Sequence, residues 1–169
     1  MEMDTQIIQK KSMEDTKRKG KARSIDSYRG TLINILHCIA PKHVFEWGPG
    51  ISTEIMNVFP SVETVDSVEH SRKWVKVATD RKLKKVQYHY ENMTCEYPFV
   101  FGSRETYDLI FVDGRLRPDC LKHARNYKMH KGSVVILHDS EREEYQEEIN
   151  KFNNIEWHDE GHTVVLRNG

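Results

Sequence analysis

Two apolar segments of this sequence each end in side chains that could carry chemistry. Asp113 directly follows the run 107–112, and His138 and Asp139 follow the run 132–137. Histidine is the side chain whose ordinary pKa best suits a base near neutral pH. A carboxylate beside apolar neighbours needs a partner, which could be a basic group, a cofactor, a substrate or a cation. Because ligands bind at the carboxyl ends of parallel strands, we expect Asp113, His138 and Asp139 to form a reaction edge.

A glycine turn follows an earlier apolar run. Glu46 ends this run, Gly48 and Gly50 form a tight turn, and Ser52 and Thr53 open the next segment. Strand, glycine turn and helix form the layout of a nucleotide-type cofactor site. A dinucleotide fingerprint would have a third glycine where Thr53 stands. Glu46 suits an ammonium group instead, such as the methionyl ammonium of S-adenosylmethionine.

An acid about 20 residues beyond such a turn is placed to bind ribose hydroxyls. Asp66 and Glu69 both lie near this point, with His70 adjoining. We favour Glu69, which is 19 residues beyond Gly50, because the neighbouring valines look like core positions.

The elements that position these residues alternate along the chain. Strands that alternate with helices predict an α/β fold, a Rossmann-like doubly wound and mostly parallel sheet with helices on both faces. A polar turn at 159–161 predicts a C-terminal antiparallel hairpin. In the helix after the second strand, we expect Trp74, Val75 and Ala78 to face inward. The predicted helices are Ile25–Ala40, Ser52–Val58, Ser71–Leu83, Pro118–Met129 and Arg142–Phe152, and the strands are Val44–Glu46, Val62–Val68, Val86–Tyr90, Tyr107–Val112, Gly132–Leu137, Ile155–Trp157 and His162–Leu166.

Length and charge limit the classes of function. The 169 residues suit one domain over 25–169, preceded by a polar, basic arm over 1–24. The arm is either a solvated segment or a clamp on an anionic substrate. The 26 basic and 26 acidic residues cancel, which makes a nucleic acid or a membrane an unexpected partner. Three widely spaced cysteines and no apolar segment near the start predict a cytoplasmic protein.

The glycine turn resembles that of the class I S-adenosylmethionine-dependent methyltransferases, on Glu46-Trp47-Gly48-Pro49-Gly50 with Ser52 and Thr53. The resemblance implies that this loop wraps the methionyl part of the cofactor and that Asn92 lies near adenine. Asp113, Asp139 and Ser140 resemble the metal-binding positions of metal-dependent O-methyltransferases, where two acids and an amide hold a divalent ion. This second resemblance implies that Asp113 and Asp139 are ligands of Mg²⁺ or Mn²⁺. Ser140 stands where that family has asparagine.

The strand ends are similar to those of methyltransferases that act on sugar hydroxyls, including the glucuronoxylan 4-O-methyltransferase-like group. The matching segments are 112–114 and 138–142. Arg115, Arg117 and Arg142 could pair with a carboxylate or phosphate of the acceptor. The resemblance implies O-methylation of a small or sugar-like acceptor, with the oligomeric state open. The alternatives are a cofactor-binding module without turnover, an NAD-dependent oxidoreductase and a nucleic-acid modifier.

Overall fold

The computed structural model describes residues 28–100 and 102–169, and within them seven strands form one sheet. The basic arm lies outside the described residues. The sheet order is β3-β2-β1-β4-β5-β7-β6. The first five strands along the chain pair in parallel, and β7 runs antiparallel between β5 and β6. The strands are β1 (His43–Trp47), β2 (Thr64–Glu69), β3 (Val86–Tyr90), β4 (Tyr107–Val112), β5 (Met129–His138), β6 (Asn154–His158) and β7 (Thr163–Arg167). This arrangement confirms the predicted fold class.

The helices cover both faces of the sheet. Leu32 and Leu36 of the first helix pack with Met56 of the second on one face, while Leu121 and Ile149 lie in the core of the other. Burial of these apolar faces is the main stabilising contribution of the helices. The helices are α1 (Arg29–Ile39), α2 (Ile51–Val58), α3 (Arg72–Asp80), α4 (Arg117–His123) and α5 (Glu143–Ile149). None of the helices in the described part is long and apolar enough to cross a membrane.

The region between β4 and β5 differs from the sequence prediction. After α4 the chain widens into a π-helical turn over Ala124–Lys128, and β5 begins at Met129 rather than at Gly132. Tyr107 pairs with Met129 but Leu109 pairs with Val134, so β5 carries a bulge there. Gly132, with a φ of 94°, lies in this bulge, where a residue with a side chain would be strained.

The expected inward position of Trp74 is wrong, since its exposed fraction is 55%. Only Ala78 of α3 is buried, and Val75 is half-buried. The helix is also shorter than predicted, ending at Asp80. A short amphipathic segment can place its apolar stripe in more than one rotation, and the packing against β2 and β3 selects the rotation that buries the small residue.

Candidate active site

The glycine turn lies at the carboxyl end of β1, between the ends of β2 and β4. The N–H of Gly48 donates to the carbonyl of Val68, and the N–H of Asp113 donates to the carbonyl of Trp47, both at 2.9 Å. Gly48 has a φ of 92°, and a Cβ there would lie 2.8 Å from the backbone nitrogen of Gly114. This position therefore requires glycine for two reasons, the backbone conformation and the contact.

Gly50 has a different environment. A Cβ built on it would meet nothing within 4 Å. This is the open space that the sequence interpretation requires if a cofactor approaches the backbone here. The two glycines of the turn thus have different roles. Gly48 allows the turn to approach the end of β4, and Gly50 leaves one face of the turn open.

Glu46 is fully buried beneath this turn. One carboxylate oxygen accepts a hydrogen bond from Ser52, and the other accepts from Thr53 at 2.6 Å and Ser67 at 2.9 Å. Burial, together with the smaller effect of the nearby Asp113 charge, raises the pKa of Glu46 to about 7, although the three hydroxyl donors act to lower it. The sequence suggested that this carboxylate faces an ammonium group. In the structure it is enclosed by the hydroxyls of Ser52, Thr53 and Ser67, and through them it orders the loop.

Two hydroxyl residues explain how the loop is built. Thr53 occupies the position of the third glycine in a dinucleotide fingerprint, and its hydroxyl also accepts from the N–H of Gly50 at 2.8 Å. The same side chain thereby links the uncovered glycine to Glu46. Ser67 was not expected as a site residue. It is the register partner of Glu46 in the pairing of β1 with β2. Cross-strand pairing could therefore have indicated this contact from the sequence.

Glu69 ends β2 at the same edge of the sheet. Its Oε1 accepts from the N–H of Ser71 and lies 2.8 Å from Nδ1 of His70. His70 in turn packs edge-on against the ring of Tyr97. Of the predicted cofactor-binding residues, Asn92 is exposed beyond the end of β3, where it accepts from the hydroxyl of Tyr90.

Asp66, the alternative ribose-binding acid, has another role. It accepts hydrogen bonds from His89, the backbone and hydroxyl of Ser103, and the hydroxyl of Tyr107. Burial acts to raise the pKa of Asp66, but the donors outweigh it and lower the pKa to about 2. Asp66 therefore fastens the segment before β4 to the sheet.

The predicted reaction edge is assembled as a compact cluster. Nδ1 of His138 lies 2.9 Å from Oδ1 of Asp113, and its Nε2 lies 3.6 Å from Oδ1 of Asp139. His138 is buried, whereas both carboxylates are partly exposed. Asp139 has a φ of 52°, a left-handed conformation that aspartate tolerates better than most residues. The histidine is thus held between two acids at the ends of β4 and β5.

Arg117, at the start of α4, joins the two acids. Its guanidinium donates to Asp113 Oδ1 at 3.0 Å and to Asp139 Oδ2 at 3.1 Å, and it is buried. Further bonds reach the carbonyls of Asp113, Gly114 and His138. These contacts engage the whole guanidinium, which differs from the expectation that Arg117 binds the acceptor.

The other two predicted arginines are exposed. Arg142 lies 3.4 Å from Asp139 Oδ2 and over the ring of Tyr145 at 5.7 Å. Arg115 is exposed in the turn between β4 and α4. Both therefore lie on segments bordering the reaction edge, and unlike Arg117 they are open to solvent.

The residues present do not fit the two-acid-and-amide metal set of the resemblance. Ser140, at the amide position, is buried and donates its hydroxyl to the carbonyl of Gly161 at 2.9 Å. Its N–H donates to the carbonyl of His162. Asp113, His138 and Asp139 do place donor atoms within 4.8 Å of one another, but Arg117 already binds both carboxylates.

Tyr28 is a site residue that no sequence pattern indicated. Its ring contacts Phe111 at 5.0 Å and His138 at 4.8 Å between centroids. Burial, with the negative charges of Asp113 and Glu46, raises the pKa of Tyr28 well above its usual range. Tyr28 therefore remains a neutral phenol between the turn and the reaction edge. Its position depends on how the start of α1 packs, which no local pattern encodes.

The described strands and helices form a Rossmann-like fold that matches the fold of solved methyltransferase structures. No family model matches the sequence, and no curated protein matches it either.

Solved structures are similar over most of the chain. A Bacillus cereus O-methyltransferase in complex with S-adenosylhomocysteine has a TM-score of 0.66 at 15% identity, covering 96% of this chain and 89% of its own. An S-adenosylhomocysteine-bound methyltransferase of Podospora anserina has a TM-score of 0.67 at 12% identity, covering 92% and 85%. A methyltransferase-like protein of Silicibacter pomeroyi has a TM-score of 0.63 at 17% identity, covering 84% and 86%. At these identities the similarity establishes the fold.

Proposed function

We propose that this chain binds S-adenosylmethionine and methylates an oxygen of a small or sugar-like acceptor. The observation that carries the proposal is the contact of Gly48 with the backbone of Asp113 and Gly114. It brings a turn of the cofactor-binding type directly against the cluster of Asp113, His138 and Asp139. A methyl donor on the turn and a proton acceptor at the strand ends would therefore be neighbours.

The cofactor half consists of the turn and the end of β2. The uncovered face at Gly50 receives the methionyl part, and the hydroxyl network of Glu46, Ser52 and Thr53 keeps the turn in shape. Glu69 accepts from the ribose hydroxyls, with His70 beside it, and Asn92 borders the adenine. Bound S-adenosylmethionine supplies an electrophilic methyl group on a sulfonium.

The reaction half removes a proton. His138, whose Nδ1 lies 2.9 Å from Asp113 Oδ1, is the proposed general base that takes the acceptor's proton. The bound cofactor would supply the methyl group to the acceptor oxygen, and its sulfur would keep the electrons of the carbon–sulfur bond. Asp113 and Asp139 stabilise the imidazolium that forms. Positioning the oxygen in line with the carbon–sulfur bond is the other contribution, which Tyr28 supports by packing against His138.

The acceptor side carries exposed positive charge. Arg115 and Arg142 border the reaction edge, and a guanidinium binds carboxylate or phosphate through two parallel hydrogen bonds. We therefore propose an acceptor that bears an acidic group, such as a uronic-acid-like sugar or a small acid.

Calorimetry tests the cofactor. We expect S-adenosylmethionine and S-adenosylhomocysteine to bind with micromolar affinity, and Glu69→Gln to weaken binding about tenfold, a difference of about 1.4 kcal/mol. Glu63→Gln is the matched control, because Glu63 is an exposed carboxylate paired with Lys42. No binding of either compound at millimolar concentration would refute the proposal. Tighter binding of NAD would favour the oxidoreductase.

Turnover separates an enzyme from a binding module. His138→Gln should leave cofactor affinity nearly unchanged and lower methyl transfer by about 10²–10⁴-fold, the usual contribution of general base catalysis. A panel of acidic sugars and small acids, assayed by release of S-adenosylhomocysteine, provides the acceptors. Equal turnover in the wild type and His138→Gln would show that His138 is not the base.

A further inference from the structure

Arg117 binds both acids of the reaction edge at once. Its N–H groups reach Asp113 Oδ1, Asp139 Oδ2 and three backbone carbonyls at the ends of β4 and β5. A guanidinium has five N–H donors in a fixed plane, and five acceptors surround this one. The side chain is buried, so the arrangement is part of the folded core of the site.

This guanidinium lies where a bridging divalent ion would have to bind. Such an ion needs oxygens from both Asp113 and Asp139, and the same two carboxylates are each within about 3 Å of Arg117. A divalent cation placed there would meet a fixed positive charge in a partly buried setting, where screening by water is weak. The carboxylates already have the partner that their burial requires.

The neighbouring residues also leave no third oxygen ligand at the expected position. The hydroxyl and the N–H of Ser140 are both directed to the turn between β6 and β7, through Gly161 and His162. Turning this hydroxyl towards Asp139 would break a buried hydrogen bond, which carries a desolvation penalty.

We propose that Arg117 is the resident cation of this site and that it takes the place of a divalent metal. It holds Asp113 and Asp139 around His138 and pairs with both carboxylates, so the proposed methyl transfer needs no metal. Arg117 is a positioning residue in this reaction, since it acts through the two acids. The inference rests on the proposed function for its chemical meaning, but its test requires neither cofactor nor acceptor.

The test is a titration with Mn²⁺, followed by water-proton relaxation and by thermal unfolding. We expect no saturable binding to the wild type up to about 1 mM free Mn²⁺, and no rise in its Tm, because a ligand that does not bind the folded state cannot stabilise it. Arg117→Ala leaves two carboxylates and an imidazole within reach of one ion. This variant should bind one Mn²⁺, and its Tm should rise by several degrees when Mn²⁺ is added.

Two further variants make the result decisive. Arg117→Lys keeps a positive charge and should not gain Mn²⁺ binding, while Arg117→Ala with Asp139→Asn should lose the gain. Saturable binding of Mn²⁺ to the wild type that Asp139→Asn abolishes would overturn the inference, and this result stands even where Arg117→Ala fails to fold. A folded Arg117→Ala with no more affinity for Mn²⁺ than the wild type would also overturn it. Failure to bind S-adenosylmethionine would refute the proposed function alone.

Discussion

Replacement of Glu46 by glutamine should change how the stability of this protein depends on pH. The carboxylate is fully buried, and burial raises its pKa from 4.5 to about 7. Between these pH values the folded state holds a proton that the unfolded state has lost. Stability due to this group is therefore fully present below pH 4.5 and is lost as the pH rises to about 7. Glutamine does not titrate, so the variant lacks this loss.

The magnitude follows from the pKa. One pKa unit corresponds to 1.36 kcal/mol, so the difference of about 2.5 units gives about 3 kcal/mol over the whole range. For a chain of this length, 1 kcal/mol shifts Tm by roughly 2–4 °C. The Tm of Glu46→Gln, relative to the wild type, should thus rise by roughly 6–12 °C between pH 4.5 and pH 8.

The assay compares urea unfolding of both proteins at half-unit pH steps. The free energy of unfolding of the wild type must be compared with that of Glu46→Gln at each pH, because His123 changes the stability of both proteins with pH in the opposite direction. Burial and the charge of Lys128 lower the pKa of His123 to about 4, so its contribution increases with pH between about 4 and 6.5. This contribution cancels between wild type and variant, since the two sites are independent. Parallel curves from pH 4.5 to 8 would refute the reasoning. Ser67→Ala removes one hydrogen-bond donor to Glu46. It should therefore raise the pKa of Glu46 and move the upper limit of the pH range over which stability is lost to higher pH.

Other residues of the site give three further tests. Gly48→Ala should cost about 2–4 kcal/mol in urea unfolding, because of its positive φ and its close approach to the backbone of Asp113 and Gly114. Gly50→Ala should change stability by less than about 0.5 kcal/mol and weaken S-adenosylmethionine binding in calorimetry. Equal stability of the two variants would contradict this. Asp66→Asn should lower stability by about 1–3 kcal/mol at pH 7, and the deficit should shrink as the pH falls from 3.8 towards 2, where the wild-type group also becomes protonated. Binding of a cationic cofactor near Glu46 should lower the pKa of this carboxyl and release protons near pH 7, so the binding enthalpy should depend on the ionisation enthalpy of the buffer, and this dependence should disappear in Glu46→Gln.

The parts of the fold that follow from local patterns were predictable. An apolar run such as 107–112 indicates a buried strand wherever it lies, and the alternation with helices fixes the class of sheet. The bulge at Gly132 and the π-helical turn after His123 were not, because both depend on how β5 is fitted against β4. The exposure of Trp74 was missed for a related reason, since rotation of a short helix depends on the sheet beneath it.

The candidate site divides in the same way. The glycine turn is continuous along the chain, so its residue types and their spacing are recognisable from the sequence alone. The role of Arg117 is not, because three of its five acceptors are backbone carbonyls, which every residue possesses, and two partners lie more than 20 positions away. A side chain that binds backbone carbonyls at distant strand ends leaves no pattern in the sequence. From the sequence alone, such an arginine cannot be distinguished from one that is exposed on the surface.

The distribution of charge over the strand ends gives an independent reason for the side on which a cationic cofactor would bind. At the reaction edge Arg117 already pairs with both Asp113 and Asp139, so a positive ligand gains less there. Beneath the turn, Glu46 is surrounded by neutral hydroxyls rather than a cation. A buried carboxylate of this kind is stabilised by a positive ligand more than one that is already paired. The ammonium and sulfonium of S-adenosylmethionine would supply that charge, which would favour the cofactor over the turn and leave the already paired edge to the acceptor.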